Sequence, residues 1–201
     1  MRVRSQKKRN EIIDIAGTLF RAQGYGAVSM ATIAAEVGGS KGTLYGYFSS
    51  KEDLFAAFVV AAGEKRWAEF VRSDAKLKGI EAKLKDLGCR YLRFLLSEEI
   101  MSVNRLVIAE AVRFPELGRL FYDNGPKSVI GVVATTLREA MDAGELVASD
   151  PTVTAWQFKA LCETRLFEQV LWGIRTSATE QEILGNVEPA CAIFLDSFRA
   201  P

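Results

Sequence analysis

From Lys7 to Gly24 the apolar residues Ile12, Ile13, Ala16, Leu19 and Phe20 recur at i, i+1, i+4, i+7 and i+8, the stripe of one amphipathic helix that Gly24 ends. Ser29 has the side chain of an N-cap, and Ile33, Ala34 and Val37 behind it place a second helix whose apolar face turns toward the first. Gly38 supplies the positive φ of a tight corner, and Ser40 can cap a short third helix. Ser50 with Asp53, or Ser49 with Glu52, opens a fourth that continues through Leu54, Phe55, Phe58 and Val59 to Trp67 and Phe70. A fifth follows Gly79 and carries Leu84, Leu87, Tyr91, Leu92, Leu95 and Leu96. A sixth covers Ser102 to Phe114, and Pro115 begins a seventh that stops near Gly125.

Gly125-Pro126 restarts the chain as an eighth helix to about Gly144, with Val129, Ile130, Val132, Val133, Leu137, Ala140 and Met141 too many for one face. Asp150-Pro151, an N-cap followed by Pro at N1, opens a ninth reaching about Gly173. Its Val153, Trp156, Ala160, Phe167, Leu171 and Ile174 form one apolar face, and Phe158, Leu161, Cys162 and Trp172 another. A helix apolar on two faces needs cover on two sides, one from its own core and one from a partner. Thr179 and Glu182 stand in capping-box spacing before a last helix, which Pro189 is expected to kink or split. No alternating strand pattern competes, so the expectation is an all-α protein. Residues 1–50 are expected to form an N-terminal three-helix helix-turn-helix DNA-binding domain, and residues 51–201 a larger helical domain, for which the resemblance described below implies ligand binding and dimerisation.

Charge sharpens this division. The whole chain of 201 residues carries a net +1, yet residues 1–52 hold 8 Lys and Arg against 4 Asp and Glu, leaving 18 against 21 for the rest. The positive charge lies where the helix-turn-helix pattern lies. The absence of His removes the commonest general base and metal ligand, which argues against most hydrolase and metalloenzyme readings; no cofactor is expected. Cys89, Cys162 and Cys191 are far apart and apolar in setting, the pattern of small buried hydrophobes, with Cys162 the best candidate for a ligand-contacting thiol. With a charged N-terminus, no apolar segment after it and no run of membrane-spanning length, the expected location is the cytoplasm.

The ordered landmarks Gly24-Tyr25, Ser29, Ile33-Ala34, Gly38, Ser40-Lys41-Gly42-Thr43-Leu44-Tyr45, Phe48 and Lys51-Glu52 resemble the N-terminal signature of the TetR family of bacterial transcriptional regulators. Arg105 to Gly118 resembles an AefR-like subgroup of the same family. The resemblance implies a homodimer in which the eighth and ninth helices, near residues 127–143 and 152–173, pack as an intersubunit four-helix bundle. It also implies that Tyr45 hydrogen-bonds a phosphate of double-stranded operator DNA, and it puts Tyr47 where the family often has His. Gly39 departs from the family pattern, which suggests a looser corner, and Gly46 stands where the family often has an aromatic or long polar side chain on the recognition helix.

DNA recognition needs phosphate clamps for position and side chains at base edges for sequence. Lys41 and Lys51 are natural phosphate neutralisers; Ser29, Thr32 and Ser40 are short donors; Gly42 lets the third helix approach the groove; Thr43 offers a methyl and a hydroxyl to base edges. Arg2, Arg4, Lys7, Lys8 and Arg9 read as a solvated tail. In the body, Trp67, Phe70, Tyr91, Phe94, Phe114 and Phe121 come from helices that in the family enclose a ligand cavity, and Arg105, Glu110 and Arg165 are its polar candidates. The function expected is that of a repressor released from a palindromic operator by a small apolar or aromatic effector. The alternative is a helical DNA-binding or adaptor protein gated by a protein partner.

Overall fold

In the computed structural model, which describes residues 5–200, the chain forms α1 (Gln6–Gln23), α2 (Met30–Glu36), α3 (Lys41–Tyr47), α4 (Lys51–Val71), α5 (Ile80–Leu95), α6 (Glu98–Glu110), α7 (Pro115–Asn124), α8 (Pro126–Asp142), α9 (Pro151–Glu163), α10 (Leu166–Leu171) and α11 (Glu180–Phe198). Among the described residues there is no strand, and one isolated antiparallel bridge joins Leu146 to Arg199. No helix among them is long and apolar enough to cross a membrane. The chain packs as two compact units. The first joins everything up to Glu64 with Ser102–Pro126; the second holds Lys65–Met101 and Lys127 onward. This packing boundary is discontinuous in sequence and differs from a single cut after residue 50.

The first unit is built on the stripe of α1. Ile12, Ile13, Ala16 and Phe20 are buried against Ile33 and Ala34 of α2, Leu44 of α3, and Leu54, Phe55 and Phe58 of α4. Phe20, Tyr25 and Phe55 pack ring against ring at 5.4–5.8 Å between centroids. Gly17 lets α4 come close: a Cβ there would stand 2.6 Å from Cδ2 and Cε2 of Phe58. Val103, Val107 and Leu117, from α6 and α7, complete the same core.

The second unit is organised around α5 and α11. Leu84, Leu87 and Leu92 pack with Val187, Cys191 and Phe194, and α9 contributes Ala155, Phe158 and Cys162. Gly88 is the close-approach point, since a Cβ would meet Val187 Cγ1 at 2.7 Å and Cys162 Sγ at 3.3 Å. All three cysteines are free and buried, and burial pushes the Cys191 thiol up to about 12, the state of unreactive core thiols. The apolar residues of α8, among them Val129, Ile130, Val133 and Leu137, belong to this core, while its exposed side carries Gly131, Thr135, Arg138 and Asp142.

Three helix boundaries differ from the periodicity. The sixth helix starts earlier, at Glu98, and ends at Glu110, whose carbonyl takes the N–H groups of Arg113 and Phe114. The expected ninth helix is two helices. Arg165 sits at φ 56 and ψ −57, and the N–H of Leu166 turns back onto the carbonyl of Thr164, a γ-turn on the unfavourable side of φ. Arg165, expected as a polar group of the ligand cavity, is exposed at the break. The break frees the carbonyl of Cys162, and buried Asn186 of α11 takes it up through Nδ2 at 2.7 Å. Pro189 does not split the last helix: α11 continues through it. The carbonyl left without an N–H belongs to Gly185, which is exposed, so water can satisfy it and no side chain crowds the ring.

Two glycine substitutions separate close approach from spare space. Gly17→Ala forces the Phe58 ring to move and should lower stability by about 1–3 kcal/mol despite better helix propensity. Gly39 is outside the positive-φ region and its nearest atoms, on Thr43, would lie 3.8 Å from a Cβ. Gly39→Ala should therefore raise stability by about 0.4–1 kcal/mol. Denaturant midpoints of the two variants against the parent check both signs.

Candidate nucleic-acid interface

The corner between α2 and α3 is closed by backbone bonds. Gly38, at φ 66, donates its N–H to Ala35, and Gly39 donates to Ala34 at 3.0 Å, the paired bonds of a Schellman ending. The absent side chain at Gly39 does not loosen this turn, because the backbone pair holds it. Leu44 and Phe48 anchor α3 on the core, so the opposite side, with Lys41, Gly42, Thr43 and Tyr45, faces outward.

Both short helices open in the same way. Ser29 Oγ accepts the N–H of Thr32 at 3.1 Å and pairs with Thr32 Oγ1 at 2.9 Å; Ser40 Oγ accepts the N–H of Thr43 at 3.1 Å and pairs with Thr43 Oγ1 at 3.0 Å. Each Ser–Thr pair owns two hydroxyl protons and uses one internally. One proton per cap therefore remains to donate outward, from an exposed position. Tyr45 is 52% exposed and its hydroxyl has no partner among the described residues. Tyr47 is half-buried against the core, and its oxygen accepts the N–H of Ser5 at 3.3 Å.

Lysine 51 is placed differently from Lys41. Its Nζ donates to the carbonyls of Tyr25 and Val28, both at 3.0 Å, and lies 4.0 Å from the centre of the Tyr25 ring. Burial pulls its pKa below the ordinary lysine value, and the carboxylates of Glu52, Glu110 and Glu116 pull it back. Phe114 stacks edge-on against Tyr25 at 5.3 Å, with the Lys51 ammonium 5.8 Å from its centre. The Tyr25 hydroxyl donates to Glu52 at 3.1 Å, and burial followed by the Glu52 charge pushes its pKa up. Lys51 thus fastens the loop between α1 and α2 onto α4. Lys41 is exposed and without an ion pair among the described residues.

Of the basic N-terminal residues, Arg2 and Arg4 lie outside the described residues. Lys7, Lys8 and Arg9 are helical, contrary to a solvated tail. Lys8 donates to the carbonyl of Val37 at 3.2 Å, and Arg9 lies over the Phe48 ring at 5.1 Å. Both help hold α1 against the end of α2 and of α3, a role visible only once the chain is folded.

The residues expected to line a ligand cavity fall into both units. In the second, Trp67, Phe70 and Phe94 pack together, with centroids 5.4 Å apart for Trp67–Phe70 and for Phe70–Phe94. Tyr91 joins them at 6.2 Å from Phe70, and its hydroxyl donates to Glu163. Cys162 is fully buried, facing Gly88. In the first unit, Phe114 packs on Tyr25 as described, and a Cβ on Gly24 would collide with Glu110 Oε1. Phe121 packs against the first unit's core, and Arg105 is exposed. Residues missed from the sequence are Lys159 and Glu163, paired at 2.7 Å beside Tyr91; their i, i+4 spacing was the available signal.

Removing the ammonium with Lys51→Ala leaves two partly buried carbonyls without a donor. It should lower the stability of the protein by about 1–3 kcal/mol, read as a shift in denaturant midpoint.

A family model for the C-terminal domain of AefR-like transcriptional repressors matches residues 82–200, and the model for bacterial regulatory proteins of the tetR family matches residues 12–58. The HTH-type transcriptional regulator UidR of Escherichia coli strain K12 is 26% identical over 149 residues, which are 73% of this chain and 72% of UidR. The solved structure of the flavonoid-responsive regulator FrrA is 36% identical with a TM-score of 0.83, covering 97% of this chain and 98% of that one. A TetR-family transcriptional regulator from Mesorhizobium loti, 25% identical, superposes with a TM-score of 0.81 over 99% of this chain and all of its own. The helix-turn-helix head, its capped outward helix and a C-terminal match over more than half of the chain agree: the protein belongs to the TetR family of DNA-binding transcriptional regulators.

Proposed function

We propose that this regulator is a homodimeric repressor that binds a palindromic operator and is released by a small aromatic effector. The observation that carries the DNA reading is the division of α3. Leu44 is buried on one side, and Lys41, Gly42, Thr43 and Tyr45 are presented on the other, with an unused hydroxyl proton at the Ser40 cap. Lys41, Tyr45 and the two cap pairs serve phosphates; Thr43 and the bare Gly42 meet base edges. Lys51 and Tyr47 position this surface from behind.

A palindrome requires two heads about 34–36 Å apart, set by the dimer. Exposed apolar side chains on the second unit mark the contact: Val153 on α9, Trp172 and Ile174 just after α10, and Leu184 and Ile193 on α11. The outward side of α8 is polar, which supports pairing through α9 to α11 and not through residues 127–143. The aromatic group of Trp67, Phe70, Tyr91 and Phe94 supports an aromatic effector, in keeping with the flavonoid response of the FrrA relative. An effector that prefers the released state by ~1–3 kcal/mol loosens operator binding roughly 5- to 150-fold.

The test uses DNA from around the protein's own coding region. Lys41→Ala should reduce the slope of log affinity against log salt by about one unit, and Lys51→Ala, once corrected for folded fraction, should leave it unchanged. Tyr45→Phe should weaken binding to every operator variant alike. Equal slopes for the parent and Lys41→Ala would remove Lys41 from the interface, and a panel of flavonoids and simple phenols that never loosens the complex would remove the effector.

A further inference from the structure

Beside the aromatic group of the second unit lies an open cleft of about 570 Å³, between the end of α4 and the face of α5. That volume suits a small organic molecule. Its apolar part is formed by Phe70 and Phe94, whose rings stack at 5.4 Å. Four arginines, Arg66, Arg72, Arg90 and Arg93, share the lining with Glu69, Asp74 and Asp86.

The charges are not equally available. Arg93 is spent on Glu180 through a forked contact at 2.7–3.0 Å. Arg90 is held by Asp86 at 2.7 Å and by the carbonyl of Phe70, with its side chain only 12% exposed. Two of its N–H groups are used, and a guanidinium has five, so a fixed, largely buried donor lines the cleft with capacity left over. Asp74 accepts the N–H of Lys76 at 2.9 Å, and Asp86 is taken by Arg90. Arg66 and Arg72 are exposed and have no ion-pair or hydrogen-bond partner among the described residues. What remains without an ion pair is Arg66 and Arg72 against the carboxylates of Glu69 and Asp74, so the balance toward an anion is carried by the spare N–H groups of the fixed Arg90.

We infer that this cleft binds an aromatic monoanion, with its carboxylate, sulfonate or equivalent group held by Arg66, Arg72 and Arg90 and its ring on Phe70 and Phe94. The planar forks of arginine suit such head groups, because they offer paired donors to paired acceptor oxygens. Glu69 and Asp74 oppose the anion and select against dianions. The inference deepens the effector reading above, on which its regulatory meaning rests; the binding site itself does not depend on it.

The test compares two probes on the full-length protein by calorimetry: anilinonaphthalene sulfonate, an aromatic monoanion, and phenylnaphthylamine, its uncharged counterpart. The double variant Arg66→Ala/Arg72→Ala should bind the sulfonate about tenfold more weakly, and Glu69→Gln should bind it more tightly, while neither changes affinity for the amine. The opposite signs of the two variants exclude a general loss of structure, and all three side chains are exposed. Sulfonate affinity that is unchanged in the double variant, or amine affinity that falls as much, overturns the site. Operator binding measured with the same probes separates the two ideas. Sulfonate that binds as expected but leaves DNA affinity untouched keeps the cleft and sinks the effector reading. A neutral phenol that releases DNA while sulfonate affinity ignores the arginines does the reverse.

Discussion

The ammonium of Lys51 holds the DNA-binding unit together at a point no helix could close by itself. The loop from Gly24 to Ser29 joins α1 to α2, and its carbonyls at Tyr25 and Val28 have Lys51 Nζ as donor. Tyr25 returns the connection by donating to Glu52, the next residue along α4, and packs against Phe114 from the chain segment that follows α6. Three stretches far apart in sequence thus meet at one cation, two rings and one carboxylate. The direction of the Lys51 pKa records the cost: burial disfavours its charge, and the carbonyls, the ring face and the nearby carboxylates offset that. With the loop fixed, α2 and α3 stand where the buried Ile33 and Leu44 put them, and the outer side of α3 is presented as one surface.

What could be seen in the sequence was what is local. Ser29, Ser40, Asp150 and the Thr179–Glu182 box all act within three residues of the backbone groups they satisfy, and each is found in place. The positive φ at Gly38 belongs to the same class. Lys51 was legible as a cation near the head but not as a structural donor, because its partners lie 23 and 26 residues away. The break after Glu163 carries no glycine or proline, and its compensating partner, Asn186, is on another helix. Pro189 announces a break that does not come, since nothing local tells that Gly185 opens to solvent.

The division of the chain was hidden for a related reason. Domain boundaries are read from linkers, but here the chain passes between its two packing units inside α4, inside α6 and at the start of α8. No change of composition marks such a crossing. The consequence for the site is that Glu110 and Phe114, which the family resemblance grouped in a ligand cavity with Trp67 and Phe94, pack with the Gly24 loop of the DNA-binding unit. Aromatic residues at helical spacing announce burial; which core they enter is decided by contacts that spacing does not encode.

Native-state hydrogen exchange of the full-length protein tests this organisation most directly. If the DNA-binding unit is assembled as described, amides in α1, in α4 up to Glu64 and between Val103 and Leu117 open together with one free energy, and Lys51→Ala lowers that free energy for all three. If the amides between Val103 and Leu117 open with those of α5 and α11, and remain indifferent to Lys51, then that segment belongs to the other unit and the account is wrong.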